Sequence, residues 1–197
     1  KLCKLLKVPV ITLIMHGHHV NSPVWHLGDR KVKPVEAEMT CLFTAESLAK
    51  ATAEEVNDAI NHTFVYDDFA WQKTRGIRVT DPKRAEGLHR VLYQCPNCKT
   101  EYRMGSKGTE VFCSACGKHW EMTELGELRA MDGETEFSHI PDWYEWERKN
   151  VRHEVKTGVY SLSCPVRVKS LPNAKGYIDL GEGILAHNMD GFQVSCK

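Results

Sequence analysis

Two cysteine pairs constrain this chain more than anything else in it. Cys95-Pro-Asn-Cys98 and Cys113-Ser-Ala-Cys116 stand fourteen residues apart, so four thiols fall within 22 residues. A Cys-x-x-Cys turn lets two thiolates reach one ion from a single tight loop, and two such turns complete the tetrahedron that zinc prefers. Gly117, directly after the second pair, suits the positive φ that closes a knuckle of this kind. Glu101–Met104 and Glu110–Phe112 read as strands around a turn at Gly105–Gly108, and His119–Met122 supplies a third. The spacing therefore predicts a zinc ribbon over residues 91–130, with Cys95, Cys98, Cys113 and Cys116 as its ligands. Four thiolates fill the shell, so the expected Zn2+ is structural, and its binding free energy, on the order of 10–16 kcal/mol in small zinc modules, supports folding.

The other readings of these cysteines fit less well. Two disulfides would need an oxidising compartment, and Cys3, Cys41, Cys164 and Cys196 are scattered singly, which suits a reducing cytosol. A thioredoxin-like redox pair needs one Cys-x-x-Cys beside a βαβ unit, and the ribbon spacing favours zinc over an iron–sulfur cluster. His119 lies close to the second pair but is expected to be a bystander.

With 197 residues the chain is long enough for one large domain or two small ones. Its 26 basic and 26 acidic residues cancel, so no global field points to nucleic acid or an anionic membrane. Locally the charge is uneven: +5 over residues 1–35, −5 over 36–75 and −8 over 121–147. Such blocks are read as solvated faces, the basic start being the one that suits phosphate or lipid headgroups. The longest apolar run, Val8–Met15, falls far short of the roughly 20 residues of a spanning helix.

Local patterns divide the rest. Lys7–Met15 reads as a buried strand, Pro23 and Pro34 interrupt the next segment, and Val35–Phe43 alternates as a half-exposed strand. Thr52-Ala-Glu-Glu55 is a capping box, and Val56, Ala59, Ile60 and Phe64 behind it form one helical stripe. Residues 1–66 are thus expected to be the end of an α/β domain. Residues 67–90 read as a connector with some helix near its end, and 139–157 as a helix with Pro141 in its first turn and Gly158 as its stop. Residues 158–197 alternate and turn as an incomplete β-meander, in which Gly181-Glu-Gly183 is expected to break a strand. The fold class is therefore α+β and multi-module. A start without Met and an end in mid-strand predict a piece cut from a longer protein.

No nucleophile elbow, Walker loop or dinucleotide fingerprint is present. His16, His18, His19 and His26 gather near the end of the first strand, but the sequence joins no Cys or clear carboxylate set to them. They are expected to line a pocket beyond the carboxyl end of that strand rather than to hold a metal. No catalytic or cofactor-binding residue is assigned.

The chain also resembles the later part of the bacterial, clostridial-type 1-acylglycerol-3-phosphate acyltransferase family. Lys7-Val-Pro-Val-Ile-Thr-Leu-Ile-Met-His-Gly17 is similar to that family's last Val-Pro strand, and Phe43-Thr-Ala-Glu46 with the helix ending at Phe64 to the close of its domain. The more specific match is the stretch from about residue 77 to 155, with Arg84–His89, Gly133–His139 and Ile140–Trp146. The resemblance implies a parent enzyme that transfers an acyl group to a lysophosphatidic-acid-like acceptor. Its partners would be an acyl donor and that lysophospholipid, with cytoplasmic location and peripheral contact at the inner face of the membrane. The family's catalytic His and Asp, with four residues between them, have no counterpart here: after His16 and the four residues that follow it the chain reaches Asn21, not Asp. This chain is accordingly expected to be an inactive, zinc-stabilised accessory region. The alternative is a ribbon that binds nucleic acid or protein, for which Lys99, Arg103, Lys107 and Lys118 are the basic residues; the acids after the ribbon disfavour nucleic acid.

Overall fold

The computed structural model describes residues 2–26 and 35–196; Pro34 lies outside the described residues. The fold is α+β and multi-module, with three separate antiparallel sheets and helices between them. The chain divides into two compact units, Lys1–Trp143 and Tyr144–Lys197.

The first unit opens with α1 (Leu2–Leu6) and β1 (Val10–His16), followed by α2 (His18–Asn21) and β2 (Glu36–Phe43). β1 and β2 pair antiparallel, with Leu13 opposite Met39. Val10, Thr12 and Ile14 point inward along β1, while Ile11, Leu13 and Met15 are exposed. At the start of that inward side, Leu48 of α3 (Ala45–Lys50) and Val56 of α4 (Ala53–Thr63) pack on Val10 together with Ala51. The capping box forms as expected: the Glu55 N–H donates to Thr52 Oγ1 at 3.1 Å, and the Thr52 N–H to Glu55 Oε2 at 2.7 Å. The stripe behind it is shorter than expected, because Phe64 is the C-cap residue and is exposed.

The segment expected to be a connector is instead a packed part of this unit. α5 (Asp68–Thr74) lies at its start, and a short 3-10 helix (Leu88–Arg90) near its end. Ile77, Val79, Ala85 and Leu88 are all buried. α5 has no long apolar period to announce it; it starts because Asp67 Oδ1 accepts from the N–H groups of Phe69 and Ala70.

The ribbon sheet runs in the order β3 (Met104–Lys107), β4 (Glu110–Cys113), β5 (His119–Met122) and β6 (Leu128–Ala130). Its first strand begins later than the sequence suggests: Tyr102 has φ 56°, which ends any extended run, and the turn falls at Gly108, φ 61°. Val111, Trp120, Met122 and Leu128 fill its inner side.

α6 (Ile140–Thr157) starts in the first unit and continues into the second, stopping before Gly158 at φ 74°. The second unit adds the meander β7 (Ser161–Ser170), β8 (Ile178–Asn188) and β9 (Gly191–Cys196). The expected break at Gly181–Gly183 does not occur. Gly181 (φ 92°) instead accommodates the register shift opposite Val168, and a Cβ on Gly183 would lie 2.6 Å from Ser195 O, so the glycines let β8 run on between two neighbours. Among the described residues no helix is long and apolar enough to cross a membrane.

Candidate metal centre

Each cysteine pair sits on a turn whose backbone hydrogen bonds aim both sulfurs the same way. In the first, the Cys95 N–H donates to Thr100 O at 3.0 Å and the Lys99 N–H to Cys95 O at 2.9 Å, with Lys99 at φ 63°. In the second, Cys113 closes β4, and the Gly117 N–H donates to Cys113 O at 2.9 Å with Gly117 at φ 72°. The glycine there performs the task its position implied.

The two turns face each other. The sulfurs of Cys95 and Cys116 are 3.7 Å apart, as are those of Cys98 and Cys113, and all four lie within 4.8 Å of one another. A tetrahedron with metal–sulfur bonds near 2.3 Å has edges of about 3.8 Å, so the spacing is that of ligands sharing one ion. A disulfide would need about 2.05 Å, and all eight cysteines are free thiols. Four soft donors fit a soft or borderline cation and leave no carboxylate or water position in the set.

The surroundings treat the sulfurs unequally. Burial pushes the thiols of Cys95 and Cys113 up, whereas the hydroxyl and N–H of Thr100 draw Cys98 down to about 6. Asn97 Nδ2 donates to Cys116 Sγ at 3.5 Å, and Thr100 Oγ1 lies 3.3 Å from Cys98 Sγ. These are the outer contacts that orient thiolate ligands. The cysteine spacing does not single out Asn97 or Thr100; the signal available for them is a short polar residue inside, or just after, a Cys-x-x-Cys turn.

His119 stays outside the set. Its Nδ1 is 2.9 Å from Glu110 Oε2 and its ring stacks on Phe112. The histidines near β1 are brought together only in part. Asp68 accepts from both sides, 3.2 Å from His16 Nδ1 and 3.1 Å from His19 Nδ1, so a carboxylate some fifty residues away in the chain joins two of the four. His16 also stacks on Trp71, whereas His18 is exposed. Asp67, next in the chain, meets His139 Nε2 at 2.7 Å. Among the described residues the four cysteines are the one His, Cys, Asp or Glu set whose donor atoms converge as metal ligands must.

Compared with known proteins, the chain matches no family profile, no curated protein and no solved structure.

Proposed function

We propose that Cys95, Cys98, Cys113 and Cys116 bind one zinc ion whose role is structural. The carrying observation is the convergence of the four sulfurs, all within 4.8 Å of one another and two of the distances at 3.7 Å, with donors that suit zinc. A full thiolate shell has no coordination position for a reacting water, so the ion braces the ribbon and performs no chemistry. Metal analysis of the purified chain tests this: about one zinc per chain is expected, and Cys113→Ser is expected to abolish stoichiometric binding. A metal-free yet folded ribbon would end the reading.

Around that centre, the chain is read as the accessory C-terminal portion of a phospholipid-synthesis acyltransferase acting on a lysophosphatidic-acid-like acceptor. Its support is the resemblance of the Lys7–Gly17 strand and of the stretch from about residue 77 to 155. Acyl-transfer assays should detect no turnover by this chain alone. A longer polypeptide carrying it should possess a His-x4-Asp block upstream, and lack of that block would refute the kinship. The nucleic-acid reading is weaker: Lys118, one of its basic residues, is half-buried against Glu136.

A further inference from the structure

Trp143 is fully buried at the end of the first unit, in the first turn of α6, 27 residues beyond the last cysteine of the metal set. Its indole N–H donates to the carbonyl oxygen of Gln94 at 3.0 Å. Gln94 is the residue immediately before Cys95, and its own side-chain Nε2 donates to Lys99 O at 3.3 Å, just after Cys98. One residue thus spans the first cysteine turn from behind, and Trp143 holds that residue. The Trp143 ring also meets Trp120 edge-on at 5.1 Å, and Trp120 lies opposite Val111, two residues before Cys113. Trp143 therefore touches the supports of both cysteine pairs while contributing no ligand.

We infer that Trp143 is a positioning residue for the metal centre, coupling metal affinity to the docking of the first turn of α6. The inference rests on the four-cysteine set being a metal site. The first turn holds Lys99 and Tyr102 at positive φ, a conformation that non-glycine residues keep only when their surroundings fix it. The metal fixes it from the sulfur side, and the Gln94–Trp143 hydrogen bond fixes it from the other. Because binding free energies are reciprocal, whatever the metal contributes to seating Trp143, Trp143 returns to the metal.

The test uses the whole chain, with zinc affinity measured by competition against a chelator of known strength. Trp143→Phe keeps a ring in place and removes the N–H; it should weaken zinc binding about tenfold or more, the usual effect of losing an outer-sphere contact. Val56→Ala, which loosens the core under α4 and touches nothing near the cysteines, should leave affinity within about twofold of wild type. In the wild-type chain, removing zinc should raise hydrogen exchange in a peptide covering 137–143 and leave one covering 53–63 unchanged. Zinc bound equally well by wild type and Trp143→Phe would overturn the coupling, as would an equal loss in Val56→Ala. A wild-type chain that binds no zinc would overturn the metal reading itself.

Discussion

Gly87 and His19 show how single residues in the first unit are committed. Gly87 sits at φ 91°, and a Cβ there would fall 1.9 Å from the backbone oxygen of Trp25, so neither its conformation nor its space admits a side chain. Gly87→Ala should lower stability by about 2 kcal/mol or more, read from denaturant midpoints, because the strain of a left-handed alanine adds to a backbone collision. His19 is constrained by charge. Its Nδ1 meets Asp68, and burial outweighs the contacts to Asp68 and Gln72 and holds the imidazole below its ordinary value. His89 is shifted the same way, by burial and then by Arg90. A histidine with a depressed folded value takes up its proton first in the unfolded chain. Stability is therefore full above the ordinary pKa near 6.5 and declines as pH falls below it toward the folded value. Urea unfolding at pH 7.5 and 5.5 should show this loss, and His19→Gln should make the difference smaller. An unchanged pH difference in that variant would remove His19 from the explanation.

Elements with a covalent or capping signature were legible; those fixed by tertiary contact were not. α4 is announced by Thr52 and Glu55, and Thr52→Ala should lower stability by about 1 kcal/mol in thermal or denaturant unfolding, since it removes an N-cap acceptor. α6 is framed by Pro141 and Gly158. The four cysteines declare their own meeting. By contrast, α3 is one and a half turns long, too short for a periodic stripe; it forms because Thr44 caps it and Leu48 fills the space beside Val10. α5 carries its information in Asp67 and Asp68, which read as surface acids until His16, His19 and His139 arrive from elsewhere in the chain. β6 is three residues long and is defined by pairing with β5. The glycines of β8 misled because glycine marks both turns and close approach, and a neighbouring backbone decides between them.

At the scale of the whole molecule, the two units differ in what holds them. Every hydrophobic residue that is fully buried among the described ones lies at or before Trp143. In the second unit β7 alternates faithfully, with Leu162, Cys164, Val166 and Val168 half-buried and Ser163, Pro165, Arg167 and Lys169 exposed, but β9 leaves Phe192 at 74% and Val194 at 49% exposure. Complete burial of such side chains would contribute roughly 1.5–3 kcal/mol each, and this meander forgoes most of it. A three-stranded sheet with backbone pairing but a thin apolar cover belongs to the low end of local stability, whereas the ribbon has Trp120, Val111 and Leu128 fully enclosed and four thiolates for a metal. Native-state hydrogen exchange should therefore rank amides of 161–196 well below those of 104–130 in protection. On the proposal that the four cysteines hold zinc, its removal should narrow the gap by lowering the ribbon and leave the meander where it was. Equal protection of the two segments in the zinc-loaded chain would mean that the meander draws stability from a source other than its own packing.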